Sequence, residues 1–201
     1  MSANKPSGLS RLRFILWGMV LITGLAATAF YLISPPKPAR IGFGSPFTLT
    51  STTGETFTQD DLKGTPSLIF FGYTFCPDVC PTTLAESTGW RSALNLTPDD
   101  LRIIFVSVDP ERDDLESLGK YLSAFGSPVI GLTGTDDQID NVKRVFSVFS
   151  EKVDDPGASG YLINHTASVF LIDRDGGFIG TISFGEATAT ALEKVRRLVG
   201  I

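Results

Sequence analysis

The sequence has few side chains of the kinds that bind transition metals or perform redox chemistry. In 201 residues it has two cysteines, Cys76 and Cys80, and a single histidine, His165. Thiolates and imidazoles are the usual ligands of soft and borderline metals, and thiols are the usual redox groups, so this small set leaves few ways to build a site. If the protein performs chemistry, we expect Cys76 and Cys80 to be central to it and His165 to be the third member.

Acidic residues are absent from the first 40 positions, which hold five Lys or Arg. The whole chain has 17 basic and 22 acidic residues, so residues 41–201 have 12 and 22, a net charge of −10. A domain this acidic repels phosphate backbones and anionic lipid headgroups. We therefore expect no nucleic acid partner, and a cation or a basic protein surface fits better.

Charged side chains are also absent from residues 14–33, a run of 20 mostly apolar residues. A helix over this run would be about 30 Å long, which is the thickness of a bilayer hydrocarbon core. Lys5, Arg11 and Arg13 precede the run and no acid does. We therefore expect residues 1–13 to form a cytoplasmic tail, residues 14–33 to form a transmembrane anchor, and the remainder to lie outside the cytoplasm.

The anchor has an alternative and is followed by a spacer. Ala27-Thr28-Ala29 has the form of a signal-peptidase site, so cleavage is possible, but the apolar run continues to Ile33 and we favour an uncleaved anchor. Residues 34–46 begin with Ser-Pro-Pro-Lys-Pro, which is typical of a stiff polyproline-type linker. The domain at 47–201 would then face the periplasmic side of a bacterial inner membrane.

Beyond the linker, strand-like and helix-like segments alternate. Continuous apolar runs at 67–73 and 102–108 predict strands buried on both faces. The other expected strands are 47–50, 55–57, 129–132, 167–173 and 178–183; the expected helices run from Pro81 or earlier to Leu94, from Asp113 to Phe125, from Thr135 or Asp136 to Phe149, and over 188–199. This order predicts an α/β fold with a mixed β-sheet, and a two-cysteine motif between the first core strand and its helix indicates a thioredoxin-like fold.

The two cysteines lie in the segment FCPDVCP at residues 75–81, where that strand gives way to a helix. A helix N-terminus favours thiolate over thiol. Residues at i and i+4 lie on one helix face, about 5–6 Å apart at Cβ, so two sulfurs could bind one ion. A structural disulfide is the alternative, but closing so short a loop would contribute only roughly 2 kcal/mol, against about 4.7 kcal/mol for a 100-residue loop.

A third ligand would come from far along the chain. His165 lies 85 residues after Cys80, just before an expected central strand. Two sulfurs and one nitrogen suit Cu(I), Cu(II) or Zn(II) better than Ca²⁺ or Mg²⁺. The segment at 109–113, DPERD, also follows a strand and could face the site, but we interpret it as a loop and helix cap.

Together these motifs resemble the Sco/SenC family of membrane-anchored copper proteins. The resemblance rests on FCPDVCP after a hydrophobic strand, VDPERD after the next strand and YLINHTASVFLID around the histidine, and it covers about residues 41–201. It implies a thioredoxin-like domain that binds a copper ion through Cys76, Cys80 and His165. The family delivers copper to the binuclear copper centre of cytochrome c oxidase. Asn164 departs from the aspartate that often precedes the histidine, which affects only the tuning of the site.

Two alternatives use the same residues. One is a membrane-anchored thiol–disulfide oxidoreductase, with Cys76 and Cys80 as its redox-active pair, that acts on an oxidase subunit or another exported protein. The other is a sensor of copper or redox state. His165 distinguishes the metallochaperone from the oxidoreductase, because thiol–disulfide exchange needs no distant histidine.

Overall fold

A computed structural model describes residues 8–33, 45–155, 157 and 160–201. The chain divides into two compact units, Met1–Ala39 and Arg40–Ile201. The first contains helix α1, Gly8–Ile33, in which Leu12–Phe30 has a mean hydropathy of 1.7 and is long and apolar enough to cross a membrane. The predicted linker lies mostly outside the described residues, and the predicted boundaries of tail, anchor and linker stay predictions.

The second unit alternates strands and helices. Its strands are β1 Thr48–Ser51, β2 Thr56–Thr58, β3 Ser67–Gly72, β4 Arg102–Ser107, β5 Ile130–Thr133, β6 Ser150–Asp155, β7 Gly160–His165, β8 Ser168–Ile172 and β9 Phe178–Ser183; its helices are α2 Val79–Ala93, α3 Leu115–Ser123, α4 Asp136–Phe146 and α5 Thr188–Val199. A short 3-10 turn, Gln59–Leu62, follows β2.

The main sheet has seven strands in the order β2-β1-β5-β4-β3-β8-β9. Strands β3, β4 and β5 are parallel to one another. Strand β1 is antiparallel to β5 and β8 is antiparallel to β3, while the edge strands β2 and β9 are antiparallel to β1 and β8. All six residues of β3 are buried because helices and loops cover both faces. The predicted α/β class and mixed sheet are confirmed.

The register of the two central strands places their following loops side by side. Gly72, the last residue of β3, pairs with Ser107, the last residue of β4. The segment with both cysteines follows β3, and the DPERD segment follows β4. The carboxyl edge of parallel strands is where open α/β sheets form their sites, so both segments lie where a site is expected.

A two-stranded hairpin, β6–β7, was not predicted. Its two strands pair antiparallel with each other, from Ser150 opposite His165 to Asp155 opposite Gly160, and form a separate two-stranded sheet. The four central residues of β6, Glu151 to Asp154, are all exposed, so the segment lacks the apolar pattern that indicates a strand. His165 is therefore the last residue of β7, and it still lies just before β8, a strand of the main sheet, as expected.

Two helix boundaries also differ from the sequence-based expectation. Helix α4 begins after Thr135, as predicted, but ends at Phe146 rather than Phe149, because Ser147 adopts the left-handed conformation. Helix α3 begins at Leu115 and is capped by Asp114, whose carboxylate accepts a hydrogen bond from the Ser117 N–H. The expected cap at Asp113 is wrong, because that side chain is buried and bonds to Thr74. Thr74 lies in the loop of residues 73–78 between β3 and α2, which we call the cysteine loop.

Candidate metal centre

Helix α2 places the two cysteines at its N-terminus. It begins at Val79, so Cys80 and Pro81 lie in its first turn and Cys76 lies in the preceding loop. The backbone N–H of Cys80 donates a hydrogen bond to Cys76 Sγ over 3.3 Å. This N–H belongs to the first turn of the helix and has no partner within the helix, so its bond to the sulfur favours the negatively charged thiolate.

The two thiols differ sharply in environment. Cys76 is half-buried, whereas Cys80 is fully buried. A hydrogen bond from the Cys80 side chain, together with one from the Cys80 N–H, outweighs burial and lowers the pKa of Cys76 to about 4. Burial, reinforced by the adjacent Cys76, raises the pKa of Cys80 far above its usual range. These opposite shifts favour a thiolate at Cys76 and a thiol at Cys80.

His165 completes the cluster from the end of β7. Its Nε2 lies 3.4 Å from Cys80 Sγ, and its Nδ1 lies 3.1 Å from the Thr166 carbonyl oxygen. A carbonyl can only accept, so Nδ1 carries a proton, and Nε2 is the ring nitrogen that faces the sulfurs. The rings of Phe70 and Tyr73 meet the imidazole edge-on, each with centroids 5.9 Å away, and hold its plane.

The structure thus brings all three sequence-predicted residues together. The Sγ atoms of Cys76 and Cys80 and a ring nitrogen of His165 all lie within 4.8 Å of one another. Two sulfurs and one imidazole nitrogen at this spacing fit a soft or borderline ion such as copper or zinc. The same arrangement also fits a redox pair with an adjacent base, so the geometry alone allows two kinds of chemistry.

Gly72 allows Cys80 to pack against the sheet. A Cβ atom at position 72 would lie 2.7 Å from Cys80 Sγ and 2.8 Å from the Phe105 ring. Both distances are shorter than van der Waals contact, so any larger side chain would displace the sulfur or the ring. Sequence reasoning missed this residue, because only its pairing across the fold shows what it faces.

Asp113 supports the cysteine loop from below. Its carboxylate accepts hydrogen bonds from the Thr74 N–H at 3.1 Å, the Thr74 hydroxyl at 2.5 Å and the Ser107 hydroxyl at 2.6 Å. Burial raises the pKa of Asp113, although these hydrogen bonds oppose the shift. Thr74 is two residues before Cys76, so Asp113 fixes the backbone from which that cysteine projects. The interpretation of DPERD as only a loop and cap is therefore incomplete.

Comparisons with known proteins agree with the fold and the motifs. The family model described as SCO1/SenC matches residues 36–200. Mitochondrial protein SCO2 of Saccharomyces cerevisiae is 39% identical over 162 residues, which are 79% of this chain and 54% of the yeast protein. A SCO2-like protein of Rickettsia prowazekii is 35% identical over 175 residues, 82% of this chain and 85% of that protein.

A solved structure shows the same similarity in three dimensions. The chain is similar to ScoI of Bradyrhizobium japonicum, solved with copper bound, with 40% identity and a TM-score of 0.70. The match covers 77% of this chain and 98% of that one. The thioredoxin-like fold expected from the sequence is confirmed.

Proposed function

The chain belongs to the SCO1/SenC family, and on that premise we propose that it is a membrane-anchored copper metallochaperone. It binds a copper ion through Cys76, Cys80 and His165 and delivers the ion to the copper centre of a cytochrome c oxidase subunit. Copper is here the cargo rather than a resident cofactor. The recipient follows from the family resemblance, and the donor set follows from the geometry of the cluster.

The observation that supports copper binding most strongly is the position of His165. Two thiolates at a helix N-terminus are sufficient for redox exchange, but here an imidazole from another strand lies within 4.8 Å of both sulfurs. Its proton is fixed on the nitrogen that faces away, toward the Thr166 carbonyl. A residue brought there from 85 positions away serves a three-ligand site and is unnecessary for an exchange of sulfurs.

The surroundings also suit release of the ion. Cys76 is partly exposed, and a cavity of about 230 Å³ opens beside it, lined among others by Tyr73, Asp78, Asn164 and His165. A recipient ligand could therefore approach the ion from the side of Cys76 while Cys80 stays buried. Three protein ligands leave a further coordination position through which the ion can change partners.

A membrane anchor would hold this site at the membrane surface. We propose that residues 1–13 are the cytoplasmic tail, 14–33 the transmembrane span and 34–46 the linker, with the copper domain at 47–201 outside the cytoplasm. Helix α1 contains a segment of sufficient length and apolarity, and the basic residues that precede it favour this orientation. Because the domain is acidic, we expect it to bind a basic surface on its client.

One observation favours a second function, thiol–disulfide exchange. Cys76 has a lowered pKa and is accessible, whereas Cys80 is buried with a raised pKa. This is the arrangement of an attacking thiolate and a resolving thiol. The same pair could reduce a disulfide in an oxidase subunit before copper is delivered.

A transfer experiment tests the proposal. The copper-loaded 201-residue chain is mixed with the metal-free soluble domain of an oxidase subunit that has the binuclear centre. We expect the copper absorption spectrum to move from the chain to the domain when the domain's cysteines are already reduced. If only the oxidised domain responds, and its cysteines are reduced without copper transfer, the oxidoreductase is the correct interpretation.

A further inference from the structure

The three candidate ligands come from two separate parts of the fold. Cys76 and Cys80 lie on the loop and helix that follow β3, whereas His165 ends the β6–β7 hairpin. Within the part of the chain that the structure describes, the hairpin pairs with no strand of the main sheet. His165 lies three residues before β8, which pairs with β3, so this short connection fixes where β7 ends. Side-chain contacts hold the remainder of the hairpin against the loop that precedes α2.

Arg112 makes such contacts with the hairpin. Its guanidinium carbon lies 3.6 Å from the centre of the Tyr161 ring, and its Nη1 donates to the Tyr161 carbonyl oxygen at 3.0 Å. Buried Asp109 accepts from Arg112 Nε at 2.5 Å and from the Tyr161 hydroxyl at 2.9 Å. Arg112 and Tyr161 are thus held together by stacking, by a hydrogen bond to the tyrosine backbone and by the carboxylate of Asp109, which bonds to both side chains.

The same guanidinium contacts the cysteine loop. It lies 4.7 Å from the centre of the Phe75 ring and 5.6 Å from that of Tyr73. Phe75 directly precedes Cys76, and Tyr73 packs edge-on against the His165 ring. The Tyr73 hydroxyl also accepts a hydrogen bond from the N–H of Ile163 at 3.1 Å. One planar cation is therefore packed between rings from the two segments that hold the ligands.

A second cation covers the outer side of the same tyrosine. Lys152 Nζ lies 4.6 Å from the Tyr161 ring centre and forms an ion pair with Glu111. This pair is largely exposed, and exposed ion pairs contribute little to stability. Arg112, with its side chain 13% exposed against a fully buried Asp109, is the stronger link.

We propose that Arg112 is a positioning residue that holds the β6–β7 hairpin against the cysteine loop and so keeps His165 at the metal site. The inference rests on the proposed function in one respect, that the positioned histidine is a copper ligand. Cu(I) is satisfied by two thiolates, whereas Cu(II) needs the imidazole nitrogen as well. Loss of Arg112 should therefore weaken Cu(II) binding and spare Cu(I).

The test compares Arg112→Ala with Arg102→Ala in the whole chain. Arg102 is a matched control: it donates to the carbonyls of Asp61, Lys63 and Thr65 at the opposite end of the sheet. Each arginine also has one buried nitrogen without a hydrogen-bond partner. Either change removes a part-buried guanidinium, but only one of them touches the hairpin.

The first readout needs no metal. In the metal-free Arg112→Ala variant, hydrogen exchange at residues 160–165 should be faster than in the wild type. In Arg102→Ala, exchange at the same residues should equal that of the wild type. If Arg112→Ala does not fold, Arg112→Lys replaces it, because lysine keeps the charge beside Asp109 but lacks the planar group that stacks on Tyr161. Unchanged exchange at 160–165 would overturn the proposal whether or not the chain binds copper.

The second readout is the Cu(II) affinity in a double-mutant cycle with His165→Ala. We expect Arg112→Ala to weaken Cu(II) binding about 10–100-fold, as loss of a group that orients a ligand does. It should have no further effect once His165 is absent, because it acts through that residue. Equal losses with and without His165 would contradict the positioning role, and a wild-type chain that binds no Cu(II) would contradict the proposed function instead.

Discussion

The imidazole Nε2 of His165 lies 3.4 Å from the Sγ of Cys80, although the two residues are 85 positions apart. The contact closes a cluster in which a helix N-terminus supplies two sulfurs and a separate hairpin supplies one nitrogen. Its members differ in environment: Cys76 is accessible with a lowered pKa, Cys80 is buried with a raised pKa, and the imidazole turns its Nε2 toward the sulfur. Each of these features can be measured separately.

The lowered pKa of Cys76 predicts which thiol reacts. In the reduced, metal-free chain, iodoacetamide should modify Cys76 and leave the buried Cys80 intact. Because the pKa of Cys76 is about 4, the rate should be almost constant from pH 8 down to pH 6 and decline only as the pH approaches 4. Mass spectrometry of peptides gives site and rate. A rate that declines between pH 9 and pH 8 would show an ordinary thiol instead.

Gly72→Ala should displace Cys80. The new Cβ would meet Cys80 Sγ at 2.7 Å, so we expect about 1–3 kcal/mol less free energy of unfolding and weaker copper binding. Gly89 provides the control: it lies within α2 with nothing within 4 Å of an added Cβ, and Gly89→Ala should be neutral or stabilise by up to about 1 kcal/mol. Urea unfolding and copper titration of both variants measure the difference. Wild-type copper affinity in Gly72→Ala would contradict the packing argument.

Asp113→Asn should loosen the cysteine loop. An amide cannot accept from all three donors that Thr74 and Ser107 direct at the carboxylate, so an unsatisfied buried group should cost about 1–3 kcal/mol. Asp114→Asn is the adjacent control, because it alters only the exposed cap of α3. Hydrogen exchange at Thr74 should increase in the first variant alone. Equal exchange in both variants would show that Asp113 does not hold the loop.

Oxidation should abolish copper uptake and leave the fold intact. A Cys76–Cys80 disulfide removes both thiolate ligands, and because the loop is short its contribution to stability should be only roughly 2 kcal/mol. Copper titration and thermal unfolding of the oxidised and reduced chain test this expectation. Complete unfolding of the chain upon reduction would instead indicate a structural disulfide.

The sequence predicted the elements whose signals are local. The apolar runs of β3 and β4 and the Thr135 cap of α4 are each encoded within a few residues, and the structure confirms them. The β6 strand was not predicted, because four of its six residues are exposed and its stability comes from pairing with β7. Strands without an apolar face give no periodic signal.

The site was partly predictable for a related reason. Cys76, Cys80 and His165 are the only cysteines and the only histidine in the sequence, so their rarity alone identified them as candidates. Asp113 looked like a helix cap because its spacing to Glu116 fits a capping box. Only the parallel pairing of β3 with β4 shows that it reaches Thr74 instead. Gly72 and Arg112 act through contacts between distant segments, which no local pattern shows.

The most direct test of the central claim is the electron paramagnetic resonance spectrum of the Cu(II)-loaded chain and of its His165→Ala variant. The wild type should bind one copper per chain, with a thiolate-to-copper charge-transfer band and magnetic coupling to one imidazole nitrogen. His165→Ala should lose the nitrogen coupling and hold Cu(II) poorly while it retains Cu(I) on the two sulfurs. A variant with the wild-type spectrum and affinity, or a wild-type chain that retains zinc but no copper after dialysis, would contradict the account.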